Sequence, residues 1–388
     1  MHRKRLLNSI YLATFFFTLH YAFLVYINSS FLESVFPAAS AAEIVSVVYS
    51  VGALISIALL SEAPAVFRAW GLARTTIFYF ILLALASVGL GITTDPVVAV
   101  ILFIALMALQ TVLRYVLDVY VETFSKDEAT GQMRGIFLTV INSAIAISPI
   151  LVGMLITRTS FSTVYLLSGV MVLVGLLAIS QKLSQIPERH HHDAQLIPAF
   201  KKVLRRPNVY KIMVLNILLE LFFAWMTIYT PLYLTQTFGF GWNELGIIFT
   251  IMLLPFVIFE LPAGYLADKL LGEKEILSFG LLIMAVSTGV IAYFHATTIL
   301  PWAILLFITR IGASLVEIMT DTYFFKKVTV EDTDIISLFR AARPIAIVIA
   351  PPLAALIIAA GSYQTLYLAL AVILLCGLRY SLTLEDTM

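Results

Sequence analysis

The sequence predicts an all-α integral membrane protein with twelve transmembrane helices in two pseudo-symmetric six-helix bundles. Three observations carry that expectation. Hydrophobic residues make up 61% of the 388 residues and charged residues only 12%, with a mean hydropathy of +0.99, where soluble domains carry about 25% charged residues. Apolar runs long enough to cross the ~30 Å hydrocarbon layer recur twelve times along the chain. One long polar stretch, 181–210, separates two halves, 1–180 and 211–388, whose sequences echo one another.

Span one is expected at 7–32, after the basic start Met1-His2-Arg3-Lys4-Arg5. Its apolar run from Leu6 to Leu32 is too long for the core of a signal peptide, although Ala39-Ser40-Ala41 offers small residues, so it reads as an uncleaved span. Spans two to six follow at 42–61, 74–93, 97–121, 135–157 and 162–180. Spans seven to twelve fall at 211–236, 244–267, 276–295, 300–323, 337–359 and 363–383. With the N-terminus inside, Arg3, Lys4, Arg5, Arg68, Arg74, Lys126, Arg134, Lys182, Lys269, Lys274, Lys326 and Lys327 lie at inner loops or helix ends, whereas the outer loops hold Arg158 alone. That asymmetry places both termini in the cytoplasm, with the chain in a plasma or inner membrane. The single cysteine, Cys376, allows no intrachain disulfide, and a net charge of +1 makes no case for nucleic acid.

The linker carries His190-His191-His192. Neighbouring residues cannot all face one ion from a helix or strand, so a solvated segment is expected rather than a metal site. After it, Leu196, Ile197, Phe200, Val203 and Leu204 recur at helical spacing beside Lys201, Lys202, Arg205 and Arg206, the pattern of a short amphipathic helix on the inner leaflet.

The stretch Phe259 to Glu275 sets Glu260 in an apolar run and then places Gly264, Leu266, Ala267, Asp268, Lys269, Gly272 and Lys274 across its end. A glycine at 264 would admit a neighbouring helix, an anion at 268 suits another helix's N-terminus, and a glycine at 272 suits a turn. Span five reads Ala144-x-x-x-Ser148-Pro149-x-x-Val152-Gly153 and span eleven reads Ala346-x-x-x-Ala350-Pro351-x-x-Ala354-Ala355, so the halves share a small-residue and proline pattern. A proline there frees a carbonyl and permits a bend.

The 264–274 stretch resembles the G-x-L-a-D-r-x-G-r-k loop motif of the major facilitator superfamily of secondary transporters. Span five is similar to a degraded form of the g-x-x-x-G-P-x-x-G-G motif of the family's antiporters, with Ala144, Ser148 and Val152 where glycines are expected. The first-half counterpart of the loop motif keeps Arg68 but has Ala58 and Glu62 in place of Gly and Asp. The resemblance implies the two-bundle fold of that family, alternating access, and a central cavity lined by spans one, four, seven and ten.

Charges inside spans need a partner or water, since each costs at least ~2.5–3.5 kcal/mol at the bilayer centre. Arg114, Asp118 and Glu122 stand at successive i, i+4 positions of span four. Arg114 resembles an arginine that the family associates with proton coupling; the alternative is a ladder of intrahelical ion pairs. Glu317, Asp321, Arg340 and Arg343, with Asp118, Glu122 and Glu260, are expected to form a cytoplasmic gate. Arg310, Glu220 and His20 lie nearest the midplane of spans ten, seven and one, and with Arg114 and Trp225 form the expected substrate or proton cavity; the alternative for His20 is hydrogen-bonded structure, and for aromatic rings such as Trp225 packing between helices or against lipid. Burial favours the protonated form of a carboxyl group, which suits a proton carrier; a permanent Glu220–Arg310 pair is the structural alternative.

No G-x-x-x-x-G-K-[ST] motif and no cofactor motif occurs, so a gradient must supply the energy. The expected function is proton-coupled secondary transport of a small organic solute by a monomer, as export of amphipathic compounds. Uptake or exchange of an organic anion or sugar, with Arg310 as ligand, is the alternative. A non-transporting receptor or a polytopic enzyme is the reading from another class, and the absence of a clustered nucleophile or His/Asp motif at one membrane face speaks against an enzyme.

Overall fold

The computed structural model describes residues 2–36, 41–124, 130–180, 182–183, 196–267, 271–329 and 332–385, and no strand occurs among them. His190, His191, His192, Asp268 and Lys269 lie outside the described residues. The first half forms α1 (His2–Val25), α2 (Asn28–Val35), α3 (Ala41–Trp70), α4 (Leu72–Ile92), α5 (Pro96–Phe124), α6 (Thr130–Arg158) and α7 (Phe161–Ser180). The linker helix α8 (Leu196–Leu204) precedes α9 (Pro207–Phe238), α10 (Trp242–Ile258), α11 (Glu260–Leu266) and α12 (Gly272–Ile291). The chain closes with α13 (Ile299–Lys327), α14 (Thr333–Arg340), α15 (Ala342–Ala360) and α16 (Tyr363–Leu382). Twelve stretches of the described chain are long and apolar enough to span a membrane.

The chain divides into two compact units, Met1–Asp193 with Gly241–Gly246, and Ala194–Phe240 with Ile247–Met388. In the first, α1 packs on α6 and α7, α4 on α5 and α7, and α3 on α5. In the second, α12 packs on α13 and α16, and α9 on α13, α15 and α16. The second unit also takes in the linker helix, which packs on α14.

Three expected spans are subdivided. Span one ends at Val25 and resumes as α2. Span eight breaks at Phe259, between α10 and α11, and span eleven breaks at Ala341, between α14 and α15. The last two breaks share one feature, a proline three residues on. Pro262 has no N–H for the carbonyl of Ile258, and Pro344 none for that of Arg340, so each proline removes the hydrogen bond that would have carried the helix past the break. Pro149, Pro231, Pro255 and Pro351-Pro352 stand inside unbroken helices.

Backbone meets backbone where α12 crosses α13. A Cβ on Gly312 would come 2.6 Å from Met284 N and 2.7 Å from Gly280 O, and one on Gly280 would come 3.0 Å from Gly312 O. Neither atom can move aside, so only glycine fits at Gly312.

Candidate functional site

Four carboxylates and an arginine converge within the second unit. Glu317, on α13, interacts electrostatically with Glu260 at the start of α11, Asp321 one turn along its own helix, Glu220 of α9 and Arg343 of α15. The Arg343 Nε stands 3.9 Å from Glu220 Oε2, in range for charge attraction but too long for a hydrogen bond. The two proline-associated breaks matter here. Glu260 opens α11 immediately after the Phe259 break, and Arg343 stands two residues past the Ala341 break, so each break aims a charged side chain into the group. The sequence assigned Glu220 to a cavity and Glu260, Glu317, Asp321 and Arg343 to a gate; the fold joins them in one cluster. Arg340, at the end of α14, is exposed.

Arg310 lies seven residues before Glu317 on α13, about 10 Å along the helix. It is 1% exposed, with its guanidinium carbon 5.0 Å from the centroid of the Phe222 ring and 5.4 Å from that of Phe223. Two ring faces offer a cation their negative quadrupole without neutralising it.

A second seam ties α9 to α14 and α15. Trp225 Nε1 donates to Ala350 O at 2.6 Å, Tyr229 Oη donates to Pro351 O at 3.1 Å, and Asn216 Nδ2 donates to Phe339 O at 3.1 Å. Trp225 is fully buried, and its N–H is engaged by the backbone at the helix-bend pair Ala350 and Pro351. In this arrangement the Trp225 ring packs between helices and ties α9 to α15 at the Ala350 carbonyl.

The first unit handles its deep polar residue differently. His20 is fully buried, with Nδ1 3.2 Å from Ser168 O on α7 and Nε2 3.0 Å from Gln110 Nε2 on α5. One neutral tautomer satisfies both contacts, Nδ1–H donating to the carbonyl and Nε2 accepting from the amide. His20 thus joins three helices of the packed interior through its two ring nitrogens. Arg114 is exposed and stacks over the Tyr21 ring at 4.7 Å. Asp118 is half-buried one turn beyond it, and Glu122 lies in the last turns of the same helix. In α6 the Ser148 hydroxyl donates to Ala144 O at 2.6 Å beside Pro149, with Gly153 one turn on.

The family model described as Major Facilitator Superfamily matches residues 10–249 and 229–386. The chain belongs to the Major Facilitator Superfamily. It is a transporter-family protein rather than an enzyme, and a multi-pass membrane protein by its twelve apolar stretches. Among solved structures it is similar to a crystal structure of the nucleoside transporter NupG, with a TM-score of 0.79 and 11% identity over 98% of this chain and 100% of that one. It is also similar to an auto-inhibited POT family peptide transporter, with a TM-score of 0.78 and 10% identity over 99% of this chain and 98% of that one. Identities this low speak for the fold alone. No curated protein matches the chain.

In this superfamily member the loop motif is only partly described. Gly272 has φ 74°, a left-handed conformation that glycine adopts without strain, and it opens α12. Lys274 is half-buried in the first turn of α12. A Cβ on Gly264 would meet nothing within 4 Å among the described residues. The charged contact that the sequence reading missed is Glu273. It is 1% exposed and ion-paired with Lys326 at the end of α13. Its signal was present, a carboxylate inside the motif and a basic pair closing span ten, but only the packing of α12 on α13 brings them together.

Proposed function

We propose that this protein is a proton-coupled secondary transporter that exports small amphipathic compounds by alternating access, with both termini in the cytoplasm. The observation that carries the reading is the setting of Glu317, faced by three other carboxylates and by Arg343. Like charges held together resist simultaneous ionisation, so the group can take up a proton in one state and release it when a cationic solute or a shift of Arg343 relieves the repulsion. Glu260 and Arg343 stand beside the helix breaks at Phe259 and Ala341, the points at which α11 and α15 would swing if the cluster opens and closes as a gate. The positive-inside asymmetry supports the orientation. One bundle per sequence half, 1–180 and 211–388, with 181–210 as linker, supports rocking of two repeats about a midplane site.

Arg310, buried against Phe222 and Phe223, supports a second reading, uptake or exchange of an organic anion or sugar.

A thermal-stability screen of the purified protein against lipophilic cations, organic anions and sugars at two pH values separates the two. Ligand at 100 times its Kd adds ~2.7 kcal/mol and shifts the melting transition. Stabilisation by cations that strengthens as pH rises, and is lost in Glu220→Gln, supports the exporter. Stabilisation by anions or sugars that survives Glu220→Gln but not Arg310→Ala replaces it with the second reading.

A further inference from the structure

The linker helix α8 and the two residues that follow it, Arg205 and Arg206, carry four pairs of side chains four residues apart in sequence. Ala199 and Val203 are buried in the seam that α8 forms with α14 and α9. Lys202 Nζ donates to Asp334 Oδ2 and Arg206 Nη1 to Asp332 Oδ2, both at 2.8 Å, which clasps the adjoining stripe to α14. The two remaining stripes face away. Phe200 and Leu204 are each 53% exposed, and Lys201 and Arg205 beside them are exposed, with no described carboxylate paired to either.

Nine residues rise only about 13 Å, far too little to span a bilayer. The helix leads directly into α9 through Pro207, and it packs on α14, which joins the end of α13 to the start of α15. It therefore lies at the membrane face where α9 and α15 begin, with an apolar stripe next to a basic one. Water is a poor partner for the first stripe, and among the described residues no acid is paired with the second. A bilayer surface of negative charge satisfies both, acyl chains taking Phe200 and Leu204 and phosphates taking Lys201 and Arg205.

We infer that the outer face of α8 is a binding surface for anionic phospholipid headgroups. Division of labour among the four basic residues follows: Lys202 and Arg206 hold the helix to the protein, and Lys201 and Arg205 recognise the lipid. The inference is independent of the solute that the protein carries.

The test uses the full chain with Cys376→Ser and Leu204→Cys, labelled with a small fluorophore and reconstituted in nanodiscs of phosphatidylcholine with a minor phosphatidylglycerol component. Brominated chains, which quench the label on contact, are placed on one lipid or the other at matched mole fraction. Brominated phosphatidylglycerol should quench more than brominated phosphatidylcholine, by about fivefold for each basic residue engaged. The Lys201→Gln/Arg205→Gln variant, which leaves the clasp to α14 in place, should bring the ratio to one. Equal quenching by both lipids would mean apolar insertion without anion recognition and overturn the inference. So would no quenching by either lipid, or a ratio that the double variant leaves unchanged.

Discussion

Two polar groupings of the molecule contrast. One, in the first unit, is neutral and reciprocal: His20 with Ser168 and Gln110, Tyr165 with Asn28 at 2.7 Å, and Thr76 with Tyr120 at 2.8 Å. The other, in the second unit, is ionisable and crowded by like charge, Glu317 among Glu220, Glu260 and Asp321, with Arg343 as counter-charge. A neutral reciprocal network gives the same answer at every stage of a cycle, so it suits a scaffold. A crowded acidic group changes with every arriving proton or cation, so it suits coupling.

The strongest way to break this comparison is to exchange the losses. Glu317→Gln should abolish solute accumulation driven by a pH gradient in proteoliposomes, leaving only equilibration down the solute's own gradient. His20→Ala leaves the Ser168 carbonyl and the Gln110 amide without their partner, at a cost of about 1–3 kcal/mol. It should lower the melting temperature and leave pH-driven accumulation intact in the folded fraction. A well-folded His20→Ala protein that has lost coupling, beside a Glu317→Gln protein that retains it, would reverse the assignment of the two units.

A smaller effect sharpens the comparison on packing. Gly312 sits between Arg310 and Glu317 on α13, and a methyl group there meets the backbone of α12. Gly312→Ala should destabilise by about 1–3 kcal/mol through overpacking. Gly169→Ala in the first unit meets chiefly the Val88 side chain, at 2.9 Å, with Ala84 O at 3.3 Å, and should cost less because a methyl can shift. Thermal melts of the two variants side by side test this. Equal costs would show that the close approach of α12 and α13 relaxes as readily as a side-chain contact.

Hydropathy made the twelve spans legible because it measures transfer of a whole stretch into lipid, whatever its neighbours. The breaks at Phe259 and Ala341 were legible in principle, since each proline stands four residues after the carbonyl it leaves unbonded. Rotation of each helix about its axis was not legible. Trp225 and His20 sit mid-span as a cavity residue would, yet packing turns one toward the Ala350 carbonyl and the other toward Ser168 and Gln110. For Glu220 the sequence offered only Arg310 as a partner, whereas α11, α13 and α15 bring Glu260, Glu317, Asp321 and Arg343 into its cluster. The Gly280–Gly312 crossing left only two glycines in separate spans as its trace, and pairing them requires knowing that α12 lies on α13.

The smallest effect tests whether every charge of the second unit belongs to coupling. Asp332 lies outside the membrane-spanning segments. Its hydrogen bond from Arg206 holds its carboxyl below the ordinary carboxylate range, helped by Thr329 N and Oγ1 at 3.0 and 3.3 Å and opposed by burial. A carboxyl depressed in the folded state stabilises that state at pH above its unfolded value, about 4. The contribution is lost as pH falls through the lower folded value, so the clasp of α8 on α14 should hold at neutral pH and loosen only in acid. The Arg206 side chain is 44% exposed, so solvent screening limits the pair to under about 1 kcal/mol. A spin label at Leu204→Cys, in the Cys376→Ser background, should gain mobility below pH 4 and gain it already at neutral pH in Asp332→Asn. Transport driven by a pH gradient should be unchanged in that variant, because this ion pair ties down a linker and does not face Glu317. Loss of coupling in Asp332→Asn would instead extend the working electrostatics of the second unit from its buried acids out to the linker.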